Sequence, residues 1–203
     1  MRQNLKIALQ MDPLEELNLR GDTTFILGVE AIKRNFELFF YKPSDLIYKN
    51  NIVYANTKKL DLSFKNGKEI FSYGETKVLK LSSLDVVLMR QDPPFNMSYI
   101  TATHILEKIS SQTLVLNNPF HVRNAPEKIF VTDFSEFMPK TLITRHTNEI
   151  IKFKKKYKNI IIKPLYGNGG EGVFFIKDND SNFNVILENF LNLNEEQFII
   201  QNY

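Results

Sequence analysis

Ile160-Ile161-Ile162-Lys163-Pro164-Leu165-Tyr166-Gly167-Asn168-Gly169-Gly170-Glu171-Gly172-Val173-Phe174-Phe175-Ile176 is the stretch on which the reading of this chain turns. Four of the eight glycines, Gly167, Gly169, Gly170 and Gly172, fall within six residues. Apolar runs rich in β-branched and aromatic residues flank them, which predicts two strands joined by a glycine-rich loop. Such a loop has almost no side chain, so its backbone N–H groups can approach an anion and φ can turn positive. Lys163 ends the first strand and can set one positive charge on a phosphate. Pro164 stiffens the entry to the loop. The stretch therefore reads as a flexible flap over the phosphates of a nucleotide. It lacks the Gly-Lys-Ser/Thr ending of a P-loop and the strand-to-helix turn of the dinucleotide fingerprint. A glycine cluster by itself marks an unliganded turn as readily as a site; Lys163 and the residues upstream favour the site.

Outward from the hairpin, the second half of the chain reads as an α+β unit. Lys140–Arg145 is an expected strand, and Thr147 is expected to cap a helix to about Lys158, with Lys152, Lys154, Lys155 and Lys156 on a solvated face. After the hairpin come an amphipathic helix over 182–191, with Phe183, Ile186, Leu187 and Phe190 inward, and a strand over 197–201. That last apolar strand either pairs with the hairpin and ends the chain cleanly, or belongs to something longer; the second alternative is the expectation.

The first half predicts a parallel α/β sheet. Lys6–Met11 is an apolar strand that stops at Asp12-Pro13, because proline cannot continue a central strand. Asp22 or Thr23 caps a helix to about Asn35, with Phe25, Ile26, Val29 and Ile32 on one face, and Glu37–Tyr41 is the next strand. Strand, helix and strand with short joins open such a sheet. An antiparallel insert is expected over 47–72, with a turn at Asn66-Gly67, then a buried strand over 84–89, a helix over 98–109 and a strand over 113–116. Asp12 lies at a strand's C-terminal end, where open α/β sheets bind ligands; alone it reads equally as a turn-forming Asp before Pro. Arg90-Gln91-Asp92-Pro93-Pro94 makes a rigid ledge at the end of the 84–89 strand. The Arg90 fork suits a substrate carboxylate, against the alternative of a surface pair with Asp92 that contributes little. His104 reads as an exposed or satisfied helical histidine. Residues 122–131 connect into a helix with Pro126 in its first turn.

Composition bounds the function. The 203 residues are 43% hydrophobic and 24% charged, enough for one large domain or two small ones with a real core. A net charge of +3 is too weak to argue for nucleic acid. No cysteine is present, which excludes a disulfide scaffold, a thiol nucleophile and cysteine-ligated zinc, and suits a reducing cytoplasm. The three histidines are scattered without metal-ligand spacing. No signal peptide and no run of membrane-spanning length is read.

Several of these residues recur together in one known family. Met11-Asp12-Pro13, Asp22-Thr23-Thr24-Phe25, Leu88-Met89-Arg90-Gln91-Asp92-Pro93-Pro94-Phe95, Asn118-Pro119, Arg123-Asn124-Ala125-Pro126-Glu127-Lys128, 139–145, Lys163-Pro164-Leu165-Tyr166-Gly167-Asn168-Gly169-Gly170 and Gln201-Asn202-Tyr203 stand in the order and spacing of the prokaryotic-type glutathione synthetases, ATP-grasp carboxylate–amine ligases. The chain resembles that family over essentially its whole length. The resemblance implies an N-terminal Rossmann-like, pre-ATP-grasp parallel-sheet domain over 1–122, followed over 123–203 by the first α+β subdomain of an ATP-grasp fold, truncated before the second. It implies ATP at Lys128 and Lys163, under a loop that includes Gly167, Asn168, Gly169 and Gly170, with Gln201, Asn202 and Tyr203 as the hinge strand whose backbone pairs with adenine. Asp12, Arg90 and Asp92 are the candidate substrate residues. Gln91 and Tyr166 depart from the family's frequent lysine and aspartate. Mg²⁺ is implied too, with its ligands expected beyond Tyr203, so no metal ligand is assigned and the 203 residues alone are expected to be inactive. The implied reaction joins γ-glutamylcysteine and glycine through an acyl phosphate in the cytoplasm, by a possible homo-oligomer that needs neither nucleic acid nor membrane. The alternatives are an ATP-grasp ligase for another acid and amine, and a non-catalytic nucleotide-binding or scaffolding module.

Overall fold

A computed structural model of the chain describes residues 4–167, 169–193 and 195–203, without the side chain of Leu193. It divides into two compact units, Met1–Asn124 and Ala125–Tyr203.

In the first unit, β1 (Lys6–Gln10), α1 (Thr23–Lys33) and β2 (Glu37–Tyr41) follow the expected alternation. Asp22 caps α1, its Oδ1 accepting from the Phe25 N–H at 2.8 Å. β3 (Leu46–Lys49), β4 (Ile52–Lys65) and β5 (Lys68–Lys80) form the antiparallel insert, which runs eight residues beyond the expected end at Ser72. β5 is an edge strand exposed on most of its length, so its alternation is weak and its true end was hard to read. β6 (Val86–Met89), α2 (Met97–Glu107), β7 (Leu114–Leu116) and α3 (Pro119–Asn124) complete the unit. The sheet order is β3-β4-β2-β1-β6-β7, with β5 also paired to β4; β2, β1, β6 and β7 are parallel.

Two cores lie against this sheet. Ile7, Leu9 and Met11 pack with Phe25 and Val29 of α1 and with Leu60 and Leu62 of β4. Ala8 packs with Tyr41, Val87, Met89, Leu106 and Val115. Because both faces of β1 are covered, it reads as a continuous apolar run. Ile26 is the exception to the expected helix face: it is half exposed, and Gly28 and Ala31 are buried instead. A Cβ on Gly28 would overlap the Leu62 Cδ1 methyl, so α1 approaches β4 as closely as it does only with glycine there.

In the second unit, α4 (Glu127–Phe130) starts at Pro126, followed by a 3-10 segment over 131–137. β8 (Thr141–Thr144), α5 (Thr147–Tyr157), β9 (Ile160–Pro164), β10 (Phe174–Ile176), α6 (Phe183–Leu193) and β11 (Phe198–Asn202) come next. The antiparallel sheet runs β10-β9-β11-β8. The last strand therefore pairs on one side with the glycine hairpin and on the other with β8. Ile160 and Ile162 of β9 and Phe198 and Ile200 of β11 bury one face against Ile150, Leu187 and Phe190 of the helices. By the period of two, Lys163 and Ile199, which are register partners, project from the other face, as does Gln201.

Two expectations about α5 are corrected. Thr147 is the first helical residue, and His146 is the N-cap, its own N–H donating to Thr144 Oγ1 at 3.0 Å. Lys154 is not on the solvated face. It is 8% exposed, and its ammonium donates to the carbonyls of Lys177 and Asp178 at 2.8 and 2.7 Å, with the Phe183 ring 5.4 Å away. The carbonyls leaving β10 need donors, and the buried Lys154 side chain supplies them.

Candidate nucleotide and substrate sites

Lys128 lies on the short α4 and Lys163 at the end of β9. Both line one cavity of about 490 Å³ within the second unit, a size ordinary for a small-molecule site. Its apolar walls include Val131, Phe134, Met138 and Ile199, and Gln201 forms part of its floor. The Lys128 ammonium donates to the carbonyls of Pro164 and Gly167, at 2.8 and 2.9 Å. Partial burial lowers its pKa, the Glu127 carboxylate opposes that, and the like charge of Lys163 lowers it further. That mutual repulsion marks the two ammonium groups as neighbours. An ammonium has three N–H donors, and two of those on Lys128 are spent on the loop entry, leaving one for an anion.

The turn itself is built for close backbone approach. Gly169, Gly170 and Gly172 have φ of +61°, +80° and +68°. A Cβ on Gly172 would stand 2.9 Å from Pro164 Cγ, so the returning chain passes hard against the proline ring. Asn168 lies outside the described residues. Gln201 Nε2 donates to Thr141 Oγ1 at 3.0 Å. The Asn202 N–H is given to the Lys140 carbonyl at 3.1 Å and the Tyr203 N–H to the Asn159 carbonyl at 3.1 Å. Neither Asn202 nor Tyr203 lines the cavity, and those two N–H donors are already used. The structure thus gathers Lys128, Lys163, Gly167 and Gln201 and leaves Asn202 and Tyr203 apart. The aromatic part of the wall, Phe134 and Phe137, was missed from sequence, although the two stand three residues apart, at near-helical spacing.

In the first unit, Asp12, Arg90 and Asp92 meet at the C-terminal ends of β1 and β6. Asp12 Oδ2 accepts from the Asp92 N–H at 2.7 Å. The Arg90 N–H donates to the Gln10 carbonyl at 2.7 Å, continuing the ladder. Its guanidinium is not paired with Asp92; Nε donates to Thr24 Oγ1 and Nη2 to Thr23 Oγ1, each at 2.9 Å. Tyr99 of α2, tilted at 46° to the Phe95 ring with centroids 5.2 Å apart, has its phenol pKa raised by burial, lowered by Arg90 and raised by Asp92, so both charges are felt there. Gln91 is buried and bonded to the amide of the equally buried Gln10. It is therefore turned inward. The roles of Thr23 and Thr24 were missed because the bond partners stand 66 and 67 residues apart.

Among the described residues no group of three or more His, Cys, Asp or Glu side chains could hold a metal ion. The Mg²⁺ that the resemblance implies thus finds no fitting donor set among the described residues, and no chemical step is derived through it. Among the described residues no helix is long and apolar enough to cross a membrane.

The comparisons with known proteins agree between the two units. Residues 5–123 match the family of the prokaryotic glutathione synthetase N-terminal domain, and residues 127–203 match that of its ATP-grasp domain. A glutathione synthetase of Brucella melitensis is 49% identical over 199 residues, which cover 98% of this chain and 64% of that protein. One of Buchnera aphidicola subsp. Schizaphis graminum is 40% identical over 203 residues, covering 100% of this chain and 63% of that one. The chain thus spans less than two thirds of the length of these relatives. Among solved structures, D-alanyl-alanine synthetase A of Vibrio cholerae has a TM-score of 0.62 at 12% identity, covering 99% of this chain and 61% of that one. An ATP-grasp RimK domain protein of Sphaerobacter thermophilus has a TM-score of 0.60 at 15% identity, covering 98% and 63%. At such identities the likeness shows the fold alone.

Proposed function

The chain belongs to the prokaryotic glutathione synthetases, with an N-terminal domain and an ATP-grasp domain, and from that we propose that the whole protein joins γ-glutamylcysteine to glycine using ATP. The cysteinyl carboxylate oxygen of γ-glutamylcysteine attacks the γ-phosphorus of ATP, the bond to the β-phosphate oxygen breaks, and ADP leaves. The glycine amine, having lost its proton, attacks the acyl carbon, the carbon–oxygen bond breaks, and inorganic phosphate leaves as the amide forms. No covalent link to the protein arises, so a chain without cysteine meets the requirement. Phosphoryl transfer rests on positioning and charge neutralisation. Lys128 and Lys163 hold the triphosphate in this reading, and the backbone of the glycine turn shields it from water.

The observation that carries the proposal is the convergence of Lys128 and Lys163 on one cavity, beside a turn with three glycines at positive φ. The base lies against Val131, Phe134 and Met138, and Gln201 stands at its edge. The binding of ATP to Lys163→Ala, measured by calorimetry, tests it. Loss of one charge-assisted contact is expected to weaken affinity by about 1.5–3 kcal/mol. Near-native affinity would remove Lys163 from the site. We place the protein in the cytoplasm, where this chemistry needs neither membrane nor nucleic acid, and expect metal donors and a homo-oligomer to belong to the whole protein.

A further inference from the structure

The antiparallel insert carries one residue out of step. Thr76 of β5 lies opposite Lys58 of β4 and Tyr73 opposite Leu60, three steps on β5 against two on β4. β5 therefore holds a bulge, and Gly74 within it passes close to β4, where a Cβ would stand 3.3 Å from the Lys59 Cβ. Continued without the bulge, the pairing of Lys77 with Thr57 and of Thr76 with Lys58 would set Gly74 opposite Leu60 and turn Tyr73 to the other face. The bulge instead aims Tyr73 to the side of Leu60, against the core that also contains Leu9, Leu14 and Phe25. There its ring is held by Phe40 and Phe71, with centroids 5.2 and 5.6 Å away, and by the Lys58 ammonium at 5.1 Å.

The hydroxyl of this ring reaches the turn that follows Asp12-Pro13. It accepts the Leu14 N–H at 3.3 Å and donates to Glu15 Oε2 at 3.2 Å. Leu14–Glu16 is a single 3-10 turn, whose first N–H has no partner inside the turn, and the phenol supplies one. Burial above all pushes the phenol pKa up to about 12, so the hydroxyl keeps its proton throughout the neutral range. Pro13 joins the turn to Asp12, with φ of −55° and ψ of 137°. Its ring fixes φ, so a displacement of Leu14 passes to Asp12 with little slack. Asp12 Oδ2 in turn holds the Asp92 N–H at 2.7 Å. A continuous line of contacts thus runs from the bulge through Tyr73, Leu14 and Asp12 to the chain that leaves β6.

We propose that Tyr73 is a positioning residue for the acid substrate: its hydroxyl clips the turn Leu14–Glu16 and so holds Asp12, and through Asp12 the Asp92 backbone, in the arrangement that receives the acid. The proposal rests on the ligase reading above, and it gives the antiparallel insert a part in substrate binding.

The test uses the whole protein. Tyr73→Phe keeps the ring and its contacts and removes only the hydroxyl. It is expected to raise the KM for γ-glutamylcysteine about twofold to tenfold, as befits one neutral hydrogen bond, with kcat and the KM for ATP unmoved. Phe71→Leu is the control for packing. It takes a ring contact from Tyr73 but leaves the hydroxyl, so it should lower Tm and leave the KM for the acid unchanged. An unchanged KM for the acid in Tyr73→Phe, an equal rise in the KM for ATP, or as large a rise in Phe71→Leu would overturn the assignment. Amide hydrogen exchange separates that failure from failure of the ligase reading. In Tyr73→Phe the Leu14 and Asp92 amides should exchange about twofold to tenfold faster, with the Leu38 amide of β2 unmoved. If the wild type does not join γ-glutamylcysteine to glycine, the ligase reading fails and exchange alone decides the clip. Faster exchange at both Leu14 and Asp92 supports it; an unmoved amide at either overturns it.

Discussion

Two alanine substitutions in the glycine turn, at Gly167 and Gly172, are expected to act in opposite directions. Gly172 has φ of +68°, and a methyl there would sit 2.9 Å from Pro164 Cγ and 3.1 Å from Pro164 Cδ. An L-residue in the left-handed region costs about 1–2 kcal/mol. The proline ring cannot rotate away, so the overlap adds about 1–3 kcal/mol. Holding the turn in the Gly172→Ala variant therefore costs about 2–5 kcal/mol. Gly167 lies outside the left-handed region, and its methyl would meet Pro164 Cβ at 3.7 Å and Lys128 Nζ at 3.8 Å, ordinary contacts. There the substitution restricts the unfolded chain and is neutral or stabilising by about 0.4–1 kcal/mol. The strain at Gly172 is relieved first where least is lost, in β10, an edge strand of three residues held by Phe174↔Ile162 to Ile176↔Ile160. Native-state hydrogen exchange of the Phe174–Ile176 amides is thus the sensitive assay. Gly172→Ala should speed it about thirtyfold or more, which is about 2 kcal/mol, and Gly167→Ala should leave it unchanged or slower. Equal behaviour of the two variants, or silence in Gly172→Ala, would refute the argument from backbone and proline geometry.

The other expectations follow from the lysines. Lys154→Met leaves the Lys177 and Asp178 carbonyls without their buried donor and should destabilise by about 1–3 kcal/mol in urea unfolding of the second unit, whereas Lys156→Met, on the exposed face of the same helix, should stay within about 0.5 kcal/mol; equal effects would return Lys154 to the surface. The pKa of Lys128 lies below the ordinary 10.5, so in the window between the two values the unfolded chain binds more protons and its contribution to stability improves as pH rises. A bound phosphate would push that pKa back up, so ATP binding takes up a proton there, and affinity should fall as pH rises through the free-state value. Calorimetry in buffers of different ionisation enthalpy reads this uptake, and Lys128→Met should abolish it; a proton count unchanged in the variant would show that Lys128 does not face the phosphates.

Much of the architecture was legible in short-range pattern. The strand, helix and strand over 6–41, with its Asp22 cap, the glycine hairpin and the amphipathic helix after it follow from period, capping chemistry and turn residues, all within a few positions of one another. The ordered motifs, from Met11-Asp12-Pro13 to Gln201-Asn202-Tyr203, carried the family. The partners of charged side chains were not legible. Lys152, Lys154, Lys155 and Lys156 are alike as letters, and only the packing of α6 and the exit of β10 select Lys154 for the interior. Arg90 has Asp92 two residues away, yet it bonds Thr23 and Thr24, because the parallel sheet lays the end of β6 beside the start of α1. Lys128 meets carbonyls 36 and 39 residues further on, which no local spacing announces. Periodicity states which face of an element is apolar; which polar group receives a given cation depends on where the topology brings distant chain ends, and that is decided only when the cores have closed.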